Sequence, residues 1–98
     1  MELVSDAVDI QSQKTQSLAV SSTAAVVQAQ ESGIFDLWCA TEVAVAIGPS
    51  SVATVTATTG YILRANNTVP FKVSKGNYIQ AITASGSDTL YFQKTGSL

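Results

Sequence analysis

The segment Val69-Pro70-Phe71-Lys72-Val73-Ser74-Lys75-Gly76-Asn77-Tyr78-Ile79-Gln80-Ala81-Ile82 predicts two β-strands joined by a tight turn. β-Branched and aromatic residues, which favour strands, lie on both sides of Ser74-Lys75-Gly76-Asn77. Gly76 supplies the positive φ that such a turn requires. Pro70 has no backbone N–H to donate, so the first strand either starts after it or lies at the edge of a sheet.

Short strands of the same kind are predicted along most of the remaining chain, at residues 16–20, 23–27, 34–39, 42–47, 60–64 and 89–93. Turn-forming residues recur between them about every eight to twelve positions, the spacing of a β-sandwich or barrel. Small turn formers at 84–88 and 40–41 predict hairpins there. We therefore expect an all-β fold, a small antiparallel β-sandwich or jelly-roll-like domain.

The strand Val43-Ala44-Val45-Ala46-Ile47 has two apolar faces. In a strand, alternate residues point to opposite sides, so the valines and Ile47 share one face and the alanines share the other. Two apolar faces predict either a central strand or a strand with one face packed on another subunit.

Residues 1–14 are predicted to form an N-terminal arm, and residues 15–98 the β-sandwich domain. Ser5 could cap a helix with Leu3, Ala7 and Ile10 on one side, or the arm could be extended. We expect the arm to reach a neighbouring protein. Together with one aromatic residue of the domain, its apolar side chains are the candidate partner contacts: Leu3, Val4, Val8, Ile10 and Trp38.

The composition excludes several classes of protein. Only 12% of the 98 residues are charged, against a usual ~25%, and the formal net charge is −2, which offers no basic surface for nucleic acid. Because there is no histidine, Ser-His-Asp and Cys-His catalysis and histidine-containing zinc sites are not expected. The lone Cys39 predicts a buried, reduced thiol. No metal, cofactor or enzymatic activity is predicted, and the longest apolar run is far too short to cross a membrane.

The aromatic residues allow two interpretations, a binding site for a ligand or a structural role. Trp38, Tyr61, Tyr78 and Tyr91 could line a platform for a sugar, or they could be core and subunit-contact residues, since aromatic side chains contribute much of the burial energy of a small core.

The charged residues likewise allow either a functional or a structural interpretation. Lys72 and Lys75, near Tyr78, could contact phosphate or nucleic acid, but lysines around a turn are usually solvated residues that protect the edge of a strand. Asp36 and Glu42 invite a paired-carboxylate reading, as in glycosidases, which would need a deep cleft. The acidic residues of the arm lack the spacing of a calcium loop.

Four segments between Gly33 and Lys94 share one pattern of strands and turns: residues 43–50, 61–73, 75–82 and 86–92. A small-residue strand ends in Gly-Pro-Ser, a Val-Pro-Phe strand and a Lys-Gly-Asn turn follow, and the last strand comes after Gly-Ser. This pattern resembles the short all-β structural proteins found in virions of tailed bacteriophages. Trp38-Cys39 departs from the small aliphatic residues expected from that resemblance.

This resemblance implies a non-enzymatic capsid decoration, or cement, protein. Such a protein would self-associate, as a trimer, and would bridge subunits of the major capsid protein on the capsid surface after assembly in the host cytoplasm. The alternative it leaves open is a tail or fibre module that recognises a host surface glycan through Trp38 or the tyrosines.

Overall fold

Residues 15–97 are described by the computed structural model of the protein, and every regular element among them is a β-strand. None of these residues belongs to a helix that could span a membrane. The strands are β1 (Gln16–Ser21), β2 (Ala25–Gln28), β3 (Gly33–Cys39), β4 (Val43–Gly48), β5 (Tyr61–Leu63), β6 (Thr68–Val73), β7 (Tyr78–Ile82) and β8 (Ser87–Gly96).

The strands form two four-stranded antiparallel sheets that pack face to face. The front sheet has the order β1-β8-β3-β6, and the back sheet has the order β2-β7-β4-β5. Successive strands alternate between the sheets, except that β4 and β5 are neighbours in the back sheet. This is the strand order of a jelly roll, and it confirms the predicted all-β sandwich.

The core is a single layer of side chains between the sheets. Along β3 every second residue is buried, as the two-residue period of a strand requires when one face meets another sheet. Phe35 of β3 and Phe92 of β8 meet with ring centroids 6.3 Å apart. The largest fully buried side chains of the layer are Phe35, Leu37, Leu63, Ile79 and Leu90.

Two predicted hairpins are wrong. Residues 40–42 join β3 of the front sheet to β4 of the back sheet, and residues 83–86 join β7 of the back sheet to β8 of the front sheet. The Thr83 N–H donates to the Ser21 carbonyl oxygen across the gap between the sheets. Alternation shows which side of a strand is buried, but both sheets bury their inner sides, so the pattern does not assign a strand to a sheet.

The prediction for Pro70 is confirmed. Among the strands of residues 15–97, β6 pairs only with β3, which makes it an edge strand, and Pro70 lies opposite Asp36 in that pair. Gly76 has a φ of 90°, and the Asn77 N–H donates to the Ser74 carbonyl oxygen across the predicted turn.

The two apolar faces of β4 have an explanation within one chain. β4 is an inner strand, and its inward residues Val43 and Val45 are buried in the core. Ala44, on the outer side, is only 2% exposed in the isolated chain. Burial within one chain therefore accounts for the apolar side chain of Ala44 on the outer face.

Residues 49–60, here called the strap, cross the outer side of the back sheet and are held by one side chain, Gln80. Its Oε1 accepts from the backbone N–H groups of Thr54 (2.8 Å) and Val55 (3.2 Å). Its Nε2 donates to the carbonyl oxygens of Val52 (2.9 Å) and Ser50 (3.4 Å). Gln80 is 4% exposed and points outward from β7 next to Ala46. One amide thus satisfies four backbone groups that no neighbouring strand pairs.

Gln80→Leu should lower the free energy of unfolding by about 1–3 kcal/mol, because one buried and three part-buried backbone groups of the strap lose their partner. Urea denaturation measures the loss, and hydrogen exchange at the Thr54 and Val55 amides should accelerate. Gln28→Leu is the control, since Gln28 lies on the same side of the sheet but is exposed and makes one bond, to the Gly76 carbonyl. Equal effects of the two variants would contradict the role given to Gln80.

Gly60→Ala should destabilise the domain by roughly 1–3 kcal/mol. Gly60 has a φ of 86°, and a Cβ there would lie 2.7 Å from the carbonyl oxygen of Val45. Gly48 is the matched control, because its Cβ would meet nothing within 4 Å. Thermal unfolding of both variants checks the difference, and an unchanged melting temperature for Gly60→Ala would refute the close approach.

Candidate interaction surfaces

The predicted partner contacts fall in two parts of the chain. Leu3, Val4, Val8 and Ile10 lie outside the described residues, as does the whole predicted arm 1–14. Trp38 lies on the outer face of the front sheet, because it alternates with the buried Leu37 and Cys39 along β3.

Trp38 and Tyr91 stack on that outer face. The two residues are direct partners in the β3–β8 pair, and their rings have centroids 5.7 Å apart and planes inclined by 21°. Ser17 of β1 is opposite Tyr91, and Thr68 of β6 is opposite Trp38. These four residues, here called the aromatic row, cross all four strands of the front sheet.

A second row runs beside the aromatic row and is more polar. Asp36 of β3 lies opposite Gln93 of β8 and Pro70 of β6. Asp36 and Trp38 point to the same side of β3, about 7 Å apart along the strand. The aromatic pair is therefore flanked by one carboxylate.

The four aromatic residues of the predicted sugar platform do not meet at one place. Tyr61 packs edge-on against Phe71, with centroids 5.3 Å apart, where β5 and β6 close one side of the sandwich. Tyr78 lies on the outer side of the back sheet, opposite Gly48. Only Trp38 and Tyr91 form a shared surface.

Charge is distributed unevenly over the domain. Residues 15–97 contain four acidic and four basic residues. Asp36 and Lys72 are on the outer face of the front sheet, and the others lie near the two ends of the sandwich. The end groups include two ion pairs, Lys94 with Glu31 at 3.2 Å and Arg64 with Glu42 at 3.5 Å.

The outer side of the back sheet and its strap form a surface without a charged residue, here called the neutral face. No Asp, Glu, Lys or Arg occurs anywhere from residue 43 to residue 63. Val52 of the strap is 67% exposed, the highest value among the large apolar residues of the described chain. Ile62 and Ile82, both half-buried, flank Ala44 on this side.

The paired-carboxylate reading finds no support, because Asp36 and Glu42 are on different parts of the sandwich. Asp36 points outward from the front sheet, whereas Glu42 precedes β4 and pairs with Arg64. Among residues 15–97, no group of three or more His, Cys, Asp or Glu residues could hold a metal ion. Lys72 lies on the edge strand β6, where a charge opposes edge-to-edge pairing.

Cys39 and Asp88 lie at one margin of the core. The thiol is buried, as predicted, and burial raises the pKa of Cys39. Thr41 Oγ1 donates to Asp88 Oδ2 at 2.5 Å, and the Thr89 N–H donates to Oδ1 at 2.7 Å. These bonds, the Thr41 bond first, lower the pKa of Asp88. They tie the β3–β4 connection to the start of β8.

No protein-family model, curated protein or solved structure matches the chain.

Two features of these surfaces are not apparent in the strand pattern. The strap has no regular periodicity, and its attachment depends on the pairing of β7 with β4, which sets Gln80 beside Ala46. In the sequence, the one indication of this attachment is Gln80 itself, a polar residue among the apolar residues of Ile79-Gln80-Ala81-Ile82. The uncharged run from residue 43 to residue 63 can be seen in the sequence. Only the fold shows that its outward residues and the strap lie on one face.

Acid should destabilise the domain partly through Asp88. Because the folded state lowers the pKa of this carboxyl, its contribution is present above the ordinary aspartate value, about 3.9, and is lost as the pH falls through the lower folded value. NMR titration should show the pKa of Asp88 rising in Thr41→Val, which lacks the donor, and staying near wild type in Thr41→Ser. An unmoved titration in Thr41→Val would assign the shift to another group.

Proposed function

We propose that the protein is a non-enzymatic structural virion protein, a capsid decoration protein that self-associates as a trimer and bridges subunits of the major capsid protein. The neutral face carries the proposal: we propose that it faces the threefold axis of the trimer, where different parts of it contact the neutral faces of the two other copies of this chain.

The neutral face has the composition of an interface core. Charged residues are depleted where protein interfaces are fully buried, since each buried charge must be paired or neutralised. The outer side of the back sheet and the strap meet this condition over residues 43–63. The other outer face carries Asp36 and Lys72, so the two sides of the sandwich are not equivalent.

The exposed apolar side chains give this face a driving force for association. Burial of apolar surface contributes about 25 cal/mol per Å² before the costs of association. Val52 is already held in place by the Gln80 bonds to its segment, so little backbone order remains to be lost when it is covered.

The fold and the sequence pattern support the same class of protein by analogy. Jelly rolls recur in viral capsid domains and also in lectins, so the fold alone does not choose between structural and binding roles. The resemblance of the segments between Gly33 and Lys94 to phage virion proteins favours the structural role.

The solution mass tests self-association. Light scattering at increasing concentration should give three times the chain mass for the wild type and a smaller mass for Val52→Lys, which places a charge in the contact. Ala19→Lys is the control, because Ala19 is exposed on the front sheet. Salt should change the wild-type equilibrium little, since the contact contains no charges.

A wild-type monomer at every concentration, or a Val52→Lys trimer as stable as wild type, would overturn this assignment of the neutral face. The virion role needs a separate measurement. Purified capsids lacking the protein should bind the wild type in multiples of three copies, and capsids that bind none would refute the decoration role.

A further inference from the structure

The aromatic row is a second exposed surface, on the side of the sandwich away from the neutral face. Trp38 is the only tryptophan of the chain and is half-buried, and Tyr91 is 41% exposed. A cross-strand aromatic pair stabilises a sheet, but a core position would bury more of both rings. The outer position leaves an aromatic face available to a ligand.

The geometry shows which ring face is available. Trp38 covers one face of the Tyr91 ring through their stacking contact. Beyond Tyr91 the row continues with Ser17 on the edge strand β1, and Ala19 is the next outward residue on that strand. Both are small and exposed. The outer face of the sheet is therefore lower at β1, where the side chains are small, than at the aromatic pair. A flat ligand can lie over β1 with one face against the Tyr91 ring.

The neighbouring groups select the chemistry of that ligand. Ser17 and Thr68 provide hydroxyl groups at the two ends of the aromatic row, and Asp36 adds a carboxylate beside Trp38. A carboxylate accepts hydrogen bonds from several hydroxyl groups and repels anions. Stacked bases of a nucleic acid also use aromatic rings but require a positively charged groove, and the two rows contain no cation.

We infer that the aromatic row binds a neutral oligosaccharide, with the apolar face of one pyranose ring on Tyr91 and a hydroxyl group of that ring bonded to Ser17, while a neighbouring sugar unit beyond the Trp38–Tyr91 pair bonds to Asp36. The inference does not depend on the capsid role, because it concerns the opposite side of the domain. Association of copies through the neutral face would leave this side exposed.

The sole tryptophan makes the binding test direct. Trp38 fluorescence is titrated with neutral oligomers of glucose, galactose and N-acetylglucosamine, with oligothymidylate as an anionic stacking ligand and choline as a cation. At least one neutral oligomer should shift the emission and saturate. Oligothymidylate and choline should not.

The variants separate stacking from folding. Tyr91→Ala should weaken saccharide binding about tenfold or more, and Tyr91→Phe should retain it, because the ring face is kept. Asp36→Leu should weaken binding and Asp36→Asn should weaken it less. Tyr61→Ala is the control, since Tyr61 is similarly exposed but belongs to the other contact, with Phe71. Circular dichroism confirms that each variant is folded.

Three results would overturn the inference: no response to any neutral oligomer at millimolar concentration, equal weakening by Tyr91→Ala and Tyr61→Ala, or saturable binding of choline or oligothymidylate alone. The last result would assign the pair to a cation or to single-stranded nucleic acid. None of these results bears on the trimer mass, so the two proposals fail separately.

Discussion

The single layer of apolar side chains between the sheets is the constraint on which the rest of the structure depends. Phe35, Leu37, Leu90 and Phe92 from the front sheet face Val45 and Ile79 from the back sheet. Side chains along a strand point alternately to its two sides. Because these residues point into the core layer, the residues next to them in the strand must point to an outer surface. Trp38 and Tyr91 stack outside for the same reason that Leu37 and Leu90 pack inside.

The outer surfaces that result are unlike one another. The back sheet is crossed by the strap and carries no charge over residues 43–63, whereas the front sheet is open, with an aromatic pair, a carboxylate and a lysine. A sandwich with two different sides can contact a neighbour through one and present the other. The ion pairs stay at the ends, where solvent screens them and they restrict neither face.

Most strands could be predicted from the sequence, but their arrangement in space could not. The alternation at Val43-Ala44-Val45 and the proline at position 70 are local signals, and both give the correct environment. Hairpins at 40–41 and 84–88 were wrong because a turn of small residues suits a crossing between sheets as well as a return within one. The pairing of Trp38 with Tyr91 depends on register between strands 53 positions apart. The Asp88 bond to Thr41 likewise joins distant residues.

The way in which the strap is attached determines which substitutions in it can be accepted during evolution. Apart from a long contact with the Thr54 hydroxyl, Gln80 holds the strap through the carbonyl oxygens of residues 50 and 52 and the N–H groups of residues 54 and 55. Every amino acid has the backbone carbonyl, and every one except proline has the N–H. Val52 projects into solvent while its own carbonyl is fixed. Substitutions of the side chains at such positions leave the bonds from Gln80 in place, so the fold separates the residue that holds the strap from the side chains that determine the surface of the strap.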